Sequence, residues 1–275
     1  MGRPPSAGLL NRIDHPAELC ALAEAVAREA GELLGARFQG PAGPLRAKSS
    51  PTDLVSEADL AAERLIRQRL AAARPRDAVL GEEGGDRTPA GGGAGDLRWV
   101  VDPLDGTINF LFGIPQWAVS IACEDDEGTL VGVVHDPLRG ETFAAVRGEG
   151  EPTLDGAPIE ASRREDLATA MVATGFAYDA GVRAAQAEVA ARVLPRVRDL
   201  RRMGSAALDL AWTACGRYDA YYERGLQRWD LAAGALLCAS AGLDVRVLAP
   251  ADGMPGGLLV APPALTGMLH ALVGR

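Results

Sequence analysis

"WVVDPLDGTINF", residues 99–110, sets two aspartates three positions apart, with Pro103 and Leu104 between them and Gly106-Thr107 behind. Val100 and Val101 run straight into Asp102, so an apolar strand delivers a carboxylate to the place where the strand ends. A carboxylate carried inside is costly unless a cation or a set of donors neutralises it. Pro103 keeps a helix from starting at once, and Gly106 admits backbone angles and close approaches denied to other residues. Thr107 adds a hydroxyl and opens a segment whose N–H groups suit an anion. On one reading Asp102 and Asp105 form an Asx-type turn and merely cap local N–H groups. On the other they hold a cation.

Two further strand ends repeat the pattern. "GEEGG" (81–85) puts Glu82 and Glu83 after the apolar "AVL", and "RWD" puts Asp230 where "YYERG" gives way to a helix. Taken singly, the glutamates read as an exposed turn, and Asp230 as an acid favoured by the helix dipole. Three acidic strand ends in one chain favour a shared cation. Ligands that are all oxygen suit a hard ion, Mg²⁺ ahead of Mn²⁺ and Ca²⁺. His15, His135 and His270 are scattered and make no zinc pattern.

Composition narrows the setting. The 275 residues are 48% apolar, enough for one large domain or two small ones. No run approaches the roughly 18 apolar residues of a membrane span, and the first residues lack the apolar region of a secretory signal. A net charge of -9 disfavours nonspecific binding to nucleic acid or anionic lipid. Cys20, Cys123, Cys215 and Cys238 lie far apart in apolar neighbourhoods, the pattern of buried free thiols in a reducing, cytoplasmic compartment. Lys48 is the one lysine among 28 basic residues.

Apolar periodicity predicts helices over 15–38 and 56–75, the second stopped by Pro75, then a short strand at "AVLG". A glycine-rich loop follows at 87–96. From 99 to 154 the pattern is of strands, "EDDEG" and "DPLRG" reading as hairpin connections. Beyond that, strands and helices alternate to the end. The order predicts an α/β protein of layered sheets and helices. It also divides the chain into two closely associated halves, 1–150 with most of the acids and 151–275 with the last of them.

Four stretches, "DLVSEAD" (53–59), "GEE" (81–83), "WVVDPLDGTINF" (99–110) and "WDLAAGA" (229–235), match in order and spacing a known pattern. In them the chain resembles the inositol monophosphatase family of Mg²⁺-dependent, lithium-sensitive sugar-phosphate phosphatases, from about residue 15 onward. The resemblance implies an αβαβα sandwich of the inositol monophosphatase / fructose-1,6-bisphosphatase type, assembled as a homodimer. It implies that Glu82, Asp102 and the Leu104 carbonyl hold one metal, and that Asp102, Asp105 and Asp230 hold a second. A third, weaker ion would be reached through Glu82 and waters, and Mn²⁺ would substitute for Mg²⁺. Asp59 would pair with Thr107 to orient and deprotonate the attacking water. From the residues alone, Asp59 reads as a capping-box acid three positions after Ser56.

The substrate side follows from the same likeness. "MGSAALDL" (203–210) resembles the family's substrate loop, so Gly204, Ser205 and Ala206 would meet the substrate, together with Asp105, Gly106 and Thr107. Glu223 stands seven residues before Asp230, where inositol phosphatases carry an acid that accepts hydrogen bonds from ring hydroxyls; alone, it reads as an exposed acid at a strand end. Relatives acting on histidinol phosphate or 3′-phosphoadenosine 5′-phosphate typically read "DGTK", whereas Ile108 stands here, which favours myo-inositol 1-phosphate. Histidinol phosphate, 3′-phosphoadenosine 5′-phosphate, fructose 1,6-bisphosphate and NADP are the alternatives, and Arg228 adds a cation beside Asp230. A protein-binding regulator that acts without catalysis is the reading from another class. Acidic charge argues against direct RNA contact.

Overall fold

The computed structural model describes residues 15–38, 46–47, 54–55, 57–87 and 97–274. The chain opens with helix α1 (Pro16–Gly35), a small pair of strands β1 (Arg46–Ala47) and β2 (Leu54–Val55), and helix α2 (Glu57–Ala73). Then come β3 (Ala78–Gly81), β4 (Gly85–Arg87), β5 (Arg98–Asp105), the short helix α3 (Thr107–Leu111) and β6 (Ala118–Asp125). The run β7 (Gly128–Asp136), β8 (Glu141–Val146), β9 (Glu149–Leu154) and β10 (Ala157–Pro158) completes the first sheet, of eight strands in the order β10-β9-β8-β7-β6-β5-β3-β4. The rest alternates: β11 (Met171–Thr174), α4 (Ala180–Val193), β12 (Asp199–Arg201), α5 (Ala206–Ala214), β13 (Ala220–Arg224), α6 (Arg228–Ser240), β14 (Asp244–Leu248), β15 (Gly257–Ala261) and α7 (Pro263–Val273). Its strands form a second sheet in the order β12-β11-β13-β15-β14.

Five layers result, and each follows from where the apolar residues fall. On α1, Leu19, Ala23, Val26, Ala27, Ala30 and Leu34 share one helical face, which packs with α2 on one side of the large sheet. Helices α5 and α6 lie between the two sheets, so "AALDLAWTA" is buried almost all round. Covered on both faces, β5 to β8 read as nearly continuous apolar runs. On β7 a Cβ at Gly132 would come within 2.7 Å of the Ala233 carbonyl, so α6 rests directly on the sheet backbone. Helices α4 and α7 close the outer face of the second sheet over Val172, Tyr222 and Leu259. This is the expected αβαβα arrangement.

Two details of the large sheet position the acids. Strands β3 and β5 run parallel with Gly81 opposite Val101, so both release the chain at the same edge. The Glu82 N–H donates to the Val101 carbonyl at 3.3 Å, setting Glu82 beside Asp102. Ligand sites of open α/β sheets gather at such strand ends. The second detail departs from the expected turn after Asp102. Strand β5 carries on to Asp105 through a bulge: Asp102 pairs with Ser120 and Asp105 with Ala118, leaving Pro103 and Leu104 opposite Val119 alone. Proline is tolerated at a bulge because no ladder N–H is required of it there. The bulge re-aims Asp105 without ending the strand. Ser56, Lys48 and the glycine-rich run 88–96 lie outside the described residues.

Candidate active site

The strand ends of both sheets and the first turn of α6 open into one cleft of about 390 Å³. Glu82, Asp102, Leu104, Asp105, Gly106, Thr107, Gly204, Ala206, Glu223 and Asp230 all line it. Two of the sequence-predicted residues do not. Asp59 is fully buried behind Thr107, and Ser205 lies beneath the cleft with its hydroxyl donating to Asp105 Oδ2. Gly106 has φ 96°, and a Cβ there would meet the Gln116 carbonyl at 2.9 Å, so the step from β5 into α3 requires glycine.

The carboxylates repel one another, with Asp102 and Asp105 buried and Glu82 and Asp230 half-buried beside them. Burial pushes Asp102 well above the usual carboxylate range, and Glu82, Asp105 and Asp230 push it further. Asp105 rises to about 6 through burial, held back by the Ser205 hydroxyl and the Ala207 and Ala206 N–H groups. Asp230 is raised by burial and by Asp105, against the Gln227 N–H that it accepts at 2.7 Å. That last contact is half of a capping box, so Asp230 caps α6 and faces the cleft at once. Among the described residues, none of these three takes relief from an arginine. Among the described residues no three of these side chains already close around one point; Asp102 accepts from the Leu104 N–H, Asp105 from the Ala206 and Ala207 N–H groups, and Asp230 from the Gln227 N–H. The donor set fits a hard divalent cation: oxygen alone, buried and mutually repelling.

Thr107 Oγ1 stands 3.0 Å from Asp59 Oδ1 and 3.1 Å from the Leu104 carbonyl oxygen. Its one proton serves a single acceptor at a time. When Asp59 takes that hydrogen bond, the hydroxyl lone pairs are left for a donor in the cleft. Asp59 and Glu63 are one turn apart on the buried face of α2, and Glu63 fixes the turn that carries Glu82. Its carboxylate accepts from the N–H of Glu83 at 2.7 Å and of Gly84 at 2.8 Å. Arg67, another turn on, pairs with Glu63 at 2.6 Å and reaches the Val79 and Gly85 carbonyls.

On the opposite wall Glu223 accepts from the Tyr221 hydroxyl at 2.8 Å, and burial raises it to about 7 against that hydrogen bond. A Cβ on Gly175 would stand 2.1 Å from the Glu223 carboxyl group, so the neighbouring strand gives way to make room for the acid. Asn109 Nδ2 reaches the Gln116 carbonyl at 2.7 Å and the Met203 carbonyl at 2.8 Å, stapling α3 to the loop that holds Gly204. Beneath that loop Asp209 is buried with neither carboxyl oxygen partnered, and burial, then Glu223 and Asp105, raise it well above its ordinary value. Sequence reasoning missed Glu63, Asn109, Gly175 and Asp209. Only Glu63 carried a signal, its spacing of four from both Asp59 and Arg67. The cation expected from Arg228 is spent elsewhere: its Nε pairs with Glu124 at 2.6 Å on the large sheet. Arg202 lines the cleft instead.

A five-layered α/β fold with an acidic cleft at the ends of parallel strands places the chain among the α/β proteins whose strand ends carry a ligand site. Within that class, a family model described as "Inositol monophosphatase family" matches residues 15–274. A protein of Mycobacterium tuberculosis named inositol-1-monophosphatase SuhB is 43% identical over 276 residues, 95% of each chain. A protein of Pseudomonas aeruginosa named Nus factor SuhB is 44% identical over 223 residues, 78% of this chain and 80% of that one. The crystal structure of the extragenic suppressor protein suhB of Bartonella henselae superposes with a TM-score of 0.84 at 32% identity, covering 94% of this chain and 99% of that one. The chain belongs to the inositol monophosphatase family, for which Mg²⁺ dependence and a homodimer are typical. Among the described residues no helix is long and apolar enough to cross a membrane.

Two outcomes follow from this geometry. Asp102→Asn keeps an acceptor for the Leu104 N–H while removing a buried like charge. At neutral pH in EDTA it should therefore stabilise the metal-free protein, by about 1–2 kcal/mol, and shrink the rise in melting temperature that Mg²⁺ produces. A variant that is less stable in EDTA and keeps the full Mg²⁺ shift would contradict the cluster. Glu63→Gln should weaken Mg²⁺, read from the same melts, by about tenfold, the usual effect of losing a residue that orients a ligand. Its KM at saturating Mg²⁺ should stay close to that of the unaltered chain; a large change there would place Glu63 on the substrate side instead.

Proposed function

We propose that the protein hydrolyses a phosphate monoester of a polyol, myo-inositol 1-phosphate in the first instance, by direct attack of water. The observation that carries the reading is the convergence of Glu82, Asp102, Asp105 and Asp230 on one cleft, with the Thr107–Asp59 pair at its edge. Glu82, Asp102 and the Leu104 carbonyl would hold one Mg²⁺, Asp102, Asp105 and Asp230 would hold a second, and Glu82 with waters would reach a third. When bound, these ions supply charge neutralisation at the phosphoryl oxygens and acidify water, the largest need of phosphoryl transfer.

The chain's own residues do the rest. Asp59 holds Thr107 so that its hydroxyl orients the incoming water, and the pair takes up the proton that water releases. Gly106, Gly204 and Ala206, without bulky side chains, let the ester approach the backbone on either side of Asp105. Ser205 acts from below by fixing Asp105. Glu223, held by Tyr221, accepts hydrogen bonds from hydroxyls of the alcohol, so an alcohol lacking them leaves a buried acceptor unpaired. Ile108 stands where a lysine marks relatives with other substrates, which supports the inositol branch. Histidinol phosphate, fructose 1,6-bisphosphate, NADP and 3′-phosphoadenosine 5′-phosphate are the competing esters. Four free cysteines, three of them buried, suit a cytoplasmic setting. The working unit is a homodimer.

A second reading, a regulator that binds protein without turnover, is supported by the relative named a Nus factor and by Phe112, 74% exposed just beyond α3. The deciding experiment is Mg²⁺-dependent phosphate release from the five esters. Preference for myo-inositol 1-phosphate is expected, with Asp102→Asn lowering kcat at least about a hundredfold and Glu223→Gln acting mainly on KM. Preference for another ester would keep the metal chemistry and overturn the polyol wall. No release from any ester would leave the regulator as the better reading.

A further inference from the structure

We propose that Asn109 is a positioning residue for the alcohol half of the substrate. It fixes the peptide planes of the loop between β12 and α5 so that two backbone N–H groups meet hydroxyl oxygens of the polyol. The inference rests on the phosphatase reading and adds to Glu223 a second means of recognising hydroxyls. Asn109 is buried in α3, two residues after Thr107. Its own carbonyl accepts from the Ile114 N–H at 2.8 Å, and its Nδ2 donates to the Gln116 carbonyl at 2.7 Å. From there Nδ2 reaches the Met203 carbonyl at 2.8 Å, with the Gly204 carbonyl at 3.3 Å. Three carbonyl oxygens around this atom fix it as the nitrogen of the amide. A Cβ on Gly204 would stand 3.1 Å from Nδ2, so glycine, at φ 87°, lets the amide lie against the loop backbone.

The effect falls on the other side of the loop. Among the described residues no peptide bond is cis, so each carbonyl points opposite to the N–H that follows it in the same plane. With the Met203 and Gly204 carbonyls turned toward Asn109, the N–H groups of Gly204 and Ser205 face away from it. Gly204 lines the cleft, and Asn109 does not. Among the described residues neither of these N–H groups has an acceptor in the protein, whereas the next two, of Ala206 and Ala207, go to Asp105. A hydroxyl donates one hydrogen bond and accepts others. Glu223 serves the donated one, and the N–H groups of Gly204 and Ser205 serve the accepted one. Ser205 and Asp105 hold the far end of the loop through a carboxylate that a metal would share; Asn109 holds the near end without one.

The test uses myo-inositol 1-phosphate and phenyl phosphate, whose alcohol carries no further hydroxyl, both with Mg²⁺. Asn109→Asp keeps the shape of the side chain and removes its two N–H donors; Asn109→Ala removes the whole group. Both should raise KM for myo-inositol 1-phosphate by about tenfold or more, the worth of one hydrogen bond, with kcat within about twofold and KM for phenyl phosphate unmoved. In EDTA the amide signals of Gly204 and Ser205 in proton–nitrogen spectra should shift in both variants, while the rise in melting temperature with Mg²⁺ stays that of the unaltered chain. Gly204→Ala, which crowds Nδ2 without altering α3, should reproduce the rise in KM and add little when combined with Asn109→Asp. Asn109→Asp with the KM of the unaltered chain, or with equal changes for the two esters, would overturn the role of Asn109 and leave the phosphatase reading intact. Silence of the unaltered chain toward both esters would overturn the reading and the role together.

Discussion

Repulsion among carboxylates that cannot move apart is the constraint on which the rest of this structure depends. Parallel pairing of β3 with β5 puts Glu82 and Asp102 at one edge, the bulge turns Asp105 toward them, and α6 brings Asp230 from the other half of the chain. Left to minimise their own energy, four such groups would separate into solvent. Here the layers on both sides of the large sheet hold the strands in place, and the cost is met by burial of apolar surface elsewhere. Burial first, and the neighbouring acids after it, raise the proton affinities of Asp102 and Asp230.

Much of the local hydrogen bonding is legible as resistance to that tension. Asp105 is pinned by a hydroxyl and two N–H groups at the start of α5, a helix end whose free donors suit a carboxylate. Asp230 is held by the Gln227 N–H, and the turn bearing Glu82 hangs on Glu63 and Arg67. Each contact fixes an acid through its neighbours while leaving the cleft side open. The structural readings of these acids, caps and Asx turns, are therefore not rivals of the functional one. Asp230 caps a helix because that is how a helix can aim it.

The sequence showed the acids well and their supports badly. Asp102, Asp105, Glu82 and Asp230 each follow an apolar run, so strand periodicity and a costly buried charge together disclosed where they would cluster. The same periodicity found every long helix and the strands of the large sheet's centre. It stopped at β4, β10 and α3, short elements made by hydrogen bonding with no apolar period to announce them. It also read a turn where β5 has a bulge, because Pro103 breaks a ladder position in either case. Asn109 reaches Met203 across 94 residues of chain, and Gly175 and Asp209 meet Glu223 from other elements, so no local pattern encodes such meetings. Arg228 misled for the same reason: adjacency to Asp230 in sequence says nothing of the Glu124 that claims it from β6.

That contrast bears on how the cleft tells one ester from another. Adding arginines near an acidic centre is cheap in sequence but self-defeating in space, since each new guanidinium is captured by the nearest carboxylate. Arg228, Arg201 and Arg67 are all captured in this way. At the cleft, Gly204 leaves room for the Arg202 guanidinium by presenting no side chain of its own. The acids for their part are each restrained from below, by Ser205 for Asp105 and Tyr221 for Glu223, and so do not swing out to meet it. Open charge of both signs in one cleft is thus a property of restraint on each side. Loss of the hydrogen bond from Tyr221 would free Glu223 and cost that wall of the cleft its fixed hydroxyl acceptor.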